Sequence, residues 1–238
     1  MNNCGCCRII FFRIEGLLSG CMENKSMSDK VDMNSVTILA DGDYPTHPVP
    51  LAALRDSTRI VCCDGAFAAV PCADKSRVAA VVGDGDSIPE VLREQYANLF
   101  VRVSDQETND LTKAVRYAVA KGWSRITIVG ATGKREDHTL GNIGLLADYA
   151  SFCDVVMLTD YGRFVVVSDS AVLECFPRQQ VSIFSLTPHI PVSVKGLEYP
   201  IKNRCLNRWW EGTLNAATGS RFEIVGGKLV VFQTYGPK

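Results

Sequence analysis

The sequence Val-Val-Gly-Asp-Gly-Asp-Ser at residues 81–87 joins an apolar run to a pair of carboxylates. The apolar start of this stretch predicts the end of a buried strand. Gly83 and Gly85 give the backbone the freedom to turn sharply after it. In an open α/β sheet, ligands bind beyond the carboxyl ends of the strands. Asp84 and Asp86 therefore stand where a ligand would bind, although acidic Gly turns are also common in ordinary loops.

Strand-like and helix-like segments alternate between residues 35 and 150, which predicts a mostly parallel sheet with helices on both faces. The predicted strands are 36–40, 59–63, 79–82, 100–103 and 125–129, and the main predicted helices are 51–56, 89–99, 109–121 and 138–149.

Short strand-like runs without a helical period follow residue 150, which predicts an all-β second half, either a sandwich or a small barrel. Gly226 and Gly227 predict a hairpin turn within it. We therefore expect an α/β N-terminal domain at 35–152 and an all-β C-terminal domain at 153–238. The predicted strands of the second half are 155–158, 164–167, 171–175, 180–186, 192–194, 221–225 and 229–234.

The composition is that of a soluble globular protein, with 238 residues, 47% of them hydrophobic, 21% charged and a net charge of −1. This charge argues against a dedicated nucleic-acid-binding protein, and no apolar run is long enough for a membrane span. Residues 1–34 are expected to be a disordered tail or an extension, with Met22, Met27 and Met33 as alternative starts. The ten cysteines are scattered and accompany only three histidines, which disfavours a zinc site and indicates a reducing, cytoplasmic location.

Charged residues also follow the other predicted strands of the first half. Asp64 follows the second strand, Asp110 and Lys113 come after the fourth, and a Gly-rich loop at 130–133 with Arg135 follows the fifth. In a parallel sheet these residues gather along one edge. Carboxylates suit a hard cation such as Mg²⁺, which usually also holds substrate phosphates, while Lys and Arg suit the phosphates themselves. This set is typical of phosphoryl transfer.

Each of these residues also has an ordinary structural explanation. Asp64 could cap a helix, and Asp110 with Lys113 could form a surface ion pair. The loop at 130–133 lacks the Gly-Lys-Ser/Thr ending of a P-loop. The functional interpretation rests on the joint placement of these residues.

The order and spacing of these motifs resemble the thiamine pyrophosphokinase family across residues 36–150. The most specific parts are Gly-Asp-Gly-Asp-Ser at 83–87 and Arg-x-Asp-His-Thr-Leu-x-Asn at 135–142. A looser similarity in the second half involves Lys-Gly-Leu at 195–197 and Gly-Thr-Leu-Asn at 212–215.

The resemblance implies a homodimer of chains with an α/β domain and a β-sandwich domain. It also implies an enzyme that uses Mg²⁺ to move the pyrophosphoryl group of ATP to the hydroxyl of thiamine, with release of AMP. The implied site residues are Asp64, Asp84, Asp86 and Asp110 for magnesium and pyrophosphate, Gln106, Lys113 and Arg135 for phosphates, Asp137 near the thiamine hydroxyl, and Asn215 with its neighbours, including Tyr199, for thiamine. The candidate base is Asp137 or another carboxylate.

Several residues depart from the family's usual pattern. Asn109 replaces a threonine but can still cap a helix. Lys134 replaces a glycine, so the loop is less free. Tyr199 replaces a tryptophan and Leu214 a serine, so the thiamine pocket differs more than the ATP side. Trp209 or Trp210 could supply the missing aromatic face, or could equally belong to the packing or interface of the β domain. Two alternatives therefore stay open: a pyrophosphokinase for another hydroxymethyl heterocycle such as a pterin, and a nucleotide- or thiamine-binding module without turnover.

Overall fold

The computed structural model describes residues 32–105 and 107–237. Gln106 and nearly all of the predicted N-terminal extension therefore lie outside the described residues. The chain divides into one unit of Asn24–Asp160 and a second unit that includes Tyr161–Lys238. The sequence pattern placed the domain boundary near residue 152, before a strand that the structure assigns to the first unit.

The first unit is built on a sheet whose neighbouring strands are all parallel, which confirms the predicted α/β class. Its strands are β1 (Ser35–Leu39), β2 (Ile60–Cys63), β3 (Val78–Gly83), β4 (Phe100–Arg102), β5 (Arg125–Val129) and β6 (Asp154–Leu158). Their order across the sheet is β6-β5-β1-β2-β3-β4. Its helices are α1 (Pro48–Arg55), α2 (Ala66–Ala69), α3 (Glu90–Gln95), α4 (Asp110–Ala120) and α5 (Glu136–Tyr149), with 3₁₀ turns at Cys72–Arg77 and Ala97–Leu99.

The core of this unit follows from the apolar character of its central strands. All four residues of β2 are buried, and Ile38 of β1 and Ile128 of β5 are fully buried. Helix α4 packs on β1, β2 and β3 through its buried face, which includes Leu111 and Val115. In residues 32–105 and 107–237, we find no helix with the length and apolarity needed to cross a membrane.

Helix α3 is shorter than the predicted helix at 89–99. It ends at Gln95 because Tyr96 leaves the helical region, with φ −119° and ψ 29°. The Tyr96 ring packs edge-on against Phe67 at 5.2 Å between ring centroids. This aromatic contact accompanies the change from an α-helix to the short 3₁₀ turn that follows.

The second unit consists of antiparallel strands, which confirms the predicted all-β class. The strands are β7 (Gly162–Glu174), β8 (Gln179–Ser185), β9 (Val192–Lys195), β10 (Ile201–Arg204), β11 (Asn215–Ala216) and β12 (Arg221–Pro237), with a 3₁₀ turn at Trp209–Gly212. Strand β12 lies at the centre of the unit and pairs with β7, β8 and β9.

The hairpin predicted at Gly226 and Gly227 is wrong, because both glycines lie inside the continuous strand β12. Their φ angles are +102° and +75°, and the pairing register with β7 shifts at this point. Such a bulge bends a strand without reversing it. Before the bulge β12 pairs with β9, and after it β12 pairs with β8. The predicted strands 164–167 and 171–175 likewise form the single long strand β7.

Candidate active site

The loops at the carboxyl ends of β1, β2, β3 and β5 lie against one another because these strands are parallel neighbours. A Cβ atom at Gly42, after β1, would overlap the carbonyl oxygen of Thr132, after β5. A Cβ at Gly65, after β2, would lie 2.8 Å from Oδ2 of Asp41. Backbone oxygens leave no space for a Cβ at Gly42, so glycine is required there, and one sheet edge carries all four loops.

Asp64 holds the acidic turn that follows β3. Its Oδ1 accepts a hydrogen bond from the backbone N–H of Gly85, and its Oδ2 accepts one from Ser87, both at 3.1 Å. The residue is only 4% exposed and has φ +24°, a region that non-glycine residues rarely adopt. The carboxylate thus fixes the backbone on which Asp84 and Asp86 stand.

Negative charge is concentrated around Asp64. Burial raises the pKa of Asp64, and the nearby carboxylates of Asp84 and Asp110 raise it further, while hydrogen bonds from Ser87 oppose the increase. Three carboxylates that are close enough to repel one another favour a site that receives positive charge.

Three cationic side chains at this edge each bind a carboxylate. The pairs are Lys113 with Asp110 at 2.9 Å, Lys134 with Asp41 at 2.9 Å, and Arg135 with Asp137 at 2.5 Å. The cations that could bind phosphates are therefore neutralised by the chain's own carboxylates before any ligand is bound.

Lys113 is the buried member of this set, with 9% exposure. Its hydrogen bond to Asp110 is the main cause that raises its pKa, and the carboxylates of Asp84 and Asp105 act in the same direction, while burial lowers it. Lys113 therefore stays protonated and pairs with Asp110 within the first turn of α4.

Asp137, the candidate base, is tightly held by its neighbours. The hydrogen bond from Arg135 is the main cause that lowers its pKa to about 2, and the backbone N–H of His138 contributes. A carboxylate with so low a pKa accepts a proton poorly near neutral pH. Asp137 can become a useful base only if Arg135 moves to another partner.

Asn109 and Asn142 connect two helices to the Gly-rich loop. The side chain of Asn109 accepts a hydrogen bond from the backbone N–H of Thr112, so its expected role as the cap of α4 is confirmed. Its amide nitrogen donates to Asn142, which in turn donates to the carbonyl oxygen of Ala131 at 2.9 Å. This chain of hydrogen bonds holds the start of α4 and the loop before α5 in register.

The carboxylates fit a magnesium ion that arrives with phosphates. Within the described ranges 32–105 and 107–237, no three His, Cys, Asp or Glu side chains are arranged to hold a metal ion. Mg²⁺, however, is usually bound through one or two carboxylates, with phosphate and water oxygens completing its shell. Asp84 is half-buried and Asp86 is exposed on the same turn, so both are placed to share such an ion with a polyphosphate.

The second unit contains a cavity of about 490 Å³. Tyr199 and Trp210 are 64% and 66% exposed, so each presents an aromatic face. Leu214 is 79% exposed and has φ +59°. The lining includes Tyr199, Lys202, Arg204, Trp210, Leu214 and Asn215. This cavity can receive a flat aromatic molecule.

Asn215 supports the wall of this cavity. It is 6% exposed, and its Oδ1 accepts hydrogen bonds from the backbone N–H groups of Tyr199 at 3.0 Å and Ala216 at 2.9 Å. Its Nδ2 donates to the carbonyl oxygen of Tyr199 at 2.7 Å. The geometry makes Asn215 a positioning residue for Tyr199.

Sequence reasoning missed one residue that the structure brings into the site. Asp41, in the loop after β1, binds Lys134 and lies against Gly65. The segment Asp-Gly-Asp at 41–43 has the same acidic Gly pattern as 84–86 and follows a strand in the same way. This repeated Asp-Gly-Asp pattern is the sequence signal that identifies Asp41 as a site residue.

Two family models match the chain. The catalytic domain of thiamin pyrophosphokinase matches residues 52–157, and its substrate-binding domain matches residues 162–232. The two matched segments together cover more than half of the chain and correspond to the two structural units.

Curated and solved relatives agree with these matches. Thiamine pyrophosphokinase 1 of rice (Oryza sativa subsp. japonica) is 31% identical over 96 residues, 36% of either chain. Thiamine pyrophosphokinase 1 of Arabidopsis thaliana is 27% identical over 148 residues, 52% of either chain. The chain thus spans about half or less of the curated relatives' length.

Solved structures give a likeness of fold. The crystal structure of thiamine pyrophosphokinase from Bacillus subtilis has a TM-score of 0.71 and 22% identity, and the match covers 84% of this chain and 98% of that chain. Thiamin pyrophosphokinase from Candida albicans has a TM-score of 0.66 and 18% identity, with coverage of 83% and 88%. At these identities the likeness concerns the fold alone.

The raised pKa of Asp64 leads to a pH-dependent stability. The folded chain binds this proton more tightly than the unfolded chain, so the contribution of Asp64 to stability falls as pH rises from about 3.8 through the raised pKa. Asp64→Asn removes this titration. We expect the free energy of unfolding of the variant, minus that of the parent, to increase with pH across this window in urea denaturation.

The control is Asp169→Asn, an exposed aspartate with φ +67°, a conformation that asparagine tolerates. Its difference from the parent should not increase in the same way. A difference for Asp64→Asn that is flat or decreases with pH would contradict the electrostatic account of the site.

Proposed function

We propose that this chain, which belongs to the thiamin pyrophosphokinase family, transfers the pyrophosphoryl group of ATP to the hydroxyl of thiamine. The products are thiamine diphosphate and AMP. The observation that carries this proposal is the set of mutually repelling carboxylates and paired cations on one edge of the parallel sheet. Such a set suits phosphoryl transfer, in which the protein mainly positions groups and neutralises charge.

The nucleotide side of the reaction lies on the first unit. Asp64, Asp84 and Asp86, with Asp110, would hold Mg²⁺ together with the phosphates. When bound, the ion neutralises phosphate charge and makes the phosphorus more electrophilic. Lys113 and Arg135 bind phosphate oxygens and offset the charge that develops on the departing AMP.

In the chemical step, the hydroxyl oxygen of thiamine bonds to the β-phosphorus of ATP. The bond from this phosphorus to the oxygen bridging the α- and β-phosphates breaks, and that oxygen leaves with AMP. The hydroxyl proton passes to a base, for which Asp137 is the candidate. If Arg135 binds a phosphate, it releases Asp137, and the main cause of the low pKa of Asp137 is removed.

The acceptor side is assigned to the cavity of the second unit. Thiamine carries a cationic thiazolium ring and a flat pyrimidine. The exposed faces of Tyr199 and Trp210 suit stacking and cation–π contact with such rings. Asn215 would contribute indirectly, because its hydrogen bonds hold the backbone of Tyr199.

A second candidate acceptor is another hydroxymethyl heterocycle, such as a pterin. The observation that raises it is that Tyr199 and Leu214, where the chain departs from the family's usual pattern, both line the cavity. A competition assay that supplies thiamine and a hydroxymethylpterin together distinguishes the two. Preferential formation of the pterin diphosphate would replace the thiamine proposal.

The first test is AMP release from ATP and Mg²⁺ with and without thiamine. We expect AMP and thiamine diphosphate in equal amounts, and AMP release that depends on thiamine.

Asp84→Asn should lower the rate at least about 100-fold, because it removes a proposed metal ligand. Asp169→Asn, an exposed aspartate of the second unit, is the matched control and should leave the rate unchanged. Saturable ATP binding without AMP would instead indicate a binding module.

A second test concerns Asn215. Asn215→Ala should raise the KM for thiamine about tenfold, because the backbone of Tyr199 loses two hydrogen bonds, while the KM for ATP stays the same. Asn207→Ala, an exposed asparagine outside the cavity lining, is the control. Equal increases in both KM values would point to a general loss of structure and would contradict the assignment.

We also propose that the enzyme is a cytoplasmic homodimer. Support comes from the exposed apolar side chains of Trp209, Trp210 and Leu214, and from the free cysteines of the described chain, which suit a reducing compartment. Sedimentation equilibrium should give twice the 26.0 kDa mass of one chain. A mass of one chain at micromolar concentration would rule out a stable dimer.

A further inference from the structure

Lys134 and Asp41 form an ion pair that joins the loops after two neighbouring strands. The Nζ atom of Lys134 lies 2.9 Å from Oδ1 of Asp41, and the side chains are 54% and 47% exposed. An ion pair this exposed contributes little to stability. Stability alone therefore does not account for a lysine at this position.

The backbone of Lys134 makes a lysine unfavourable here. Its φ is +57°, in the left-handed region that penalises any residue with a Cβ and suits glycine. The preceding Gly133 has φ +82° and packs directly against the side chain of Asp43. The chain thus keeps a strained residue with a long cationic side chain at a point where two loops are pressed together. Strain of this kind is concentrated at functional sites.

The surroundings of Lys134 favour a polyanion. Arg135 follows directly and is exposed, and helix α5, 14 residues long, begins at Glu136. The first turn of α5 carries Glu136 and Asp137, and the Asp137 carboxylate already accepts the backbone N–H of His138. The two adjacent cations after the Gly-rich loop are therefore the groups that suit an anion, and both are held by carboxylates that a stronger anion can displace.

We propose that Lys134 binds the polyphosphate of the nucleotide, and that Asp41 holds the ammonium group while the site is empty. This proposal rests on the proposed function in taking a nucleoside triphosphate as the ligand. On binding, the ammonium exchanges one carboxylate for phosphate oxygens, which carry more charge and more acceptors. No covalent bond changes. Lys134 thereby makes the chain selective for nucleotides with several phosphates over those with one.

The experiment measures equilibrium binding of ATP and of AMP to the full chain by calorimetry, with Mg²⁺ and without any acceptor. Lys134→Gly suits the positive φ, so the variant should fold. We expect its Kd for ATP to rise about five- to tenfold, since a partly exposed charged hydrogen bond is lost. Its Kd for AMP should not change. Lys121→Ala removes a charge from the opposite end of α4 and should bind both nucleotides like the parent.

Asp41→Asn tests the second half of the proposal. It frees the ammonium of Lys134, so ATP should bind about two- to threefold more tightly. Weaker or unchanged ATP binding by Asp41→Asn alone would overturn the holding role of Asp41.

Three results would overturn the role of Lys134: an unchanged Kd for ATP in Lys134→Gly, an equal loss of ATP and AMP affinity, or no ATP binding by the parent. Because binding needs no turnover, the two proposals fail separately. A chain that binds ATP through Lys134 but releases no thiamine-dependent AMP would contradict the proposed function alone. A Lys134→Gly variant that makes thiamine diphosphate with unchanged ATP affinity would contradict this inference alone.

Discussion

The parallel pairing of β5, β1, β2 and β3 is the constraint on which the candidate site depends. Each pair runs in the same direction, so the loops at the carboxyl ends of the strands must lie side by side. This places Asp41, Asp64 and Lys134 at one edge although they are far apart in sequence. It also forces carboxylates together where water is partly excluded. Burial is the main cause of the raised pKa of Asp64, and the nearby carboxylates of Asp84 and Asp110 raise it further.

The cations of the site form ion pairs with some of these crowded carboxylates. Each of Lys113, Lys134 and Arg135 holds a carboxylate, so the positive charges of this edge are balanced by internal pairs. A polyphosphate and its cation would satisfy the same charges in a new combination, with cations on phosphate and carboxylates on metal. The same exchange would make Asp137 more basic, because the hydrogen bond from Arg135 is the main cause of its low pKa.

In the second unit, backbone geometry determines the strand pairing and the shape of the cavity wall. The bulge at Gly226 and Gly227 lets β12 pair with β9 and then with β8 without interrupting its pairing with β7. Near the cavity, Asn215 uses its amide to hold the backbone of Tyr199, and Leu214 adopts a positive φ beside it. The wall that would face an acceptor is thus set by buried hydrogen bonds and by a strained turn.

The sequence by itself determined the fold classes and the residue types of the site. Alternating strand-like and helix-like segments predict a parallel sheet, and acidic and Gly-rich turns after the strands predict a phosphate-binding site at one edge of it. Local chemistry also identifies Asn109 as a helix cap. Only the tertiary structure decided which charged and polar groups contact one another. The Lys134–Asp41 pair joins residues 93 positions apart, and Asn215 bonds to a backbone 16 positions away. The continuity of β12 through two glycines was decided in the same way. Local sequence specifies backbone preference and polarity, whereas pairing across the chain depends on strand register and loop approach, which arise only when the sheet has formed.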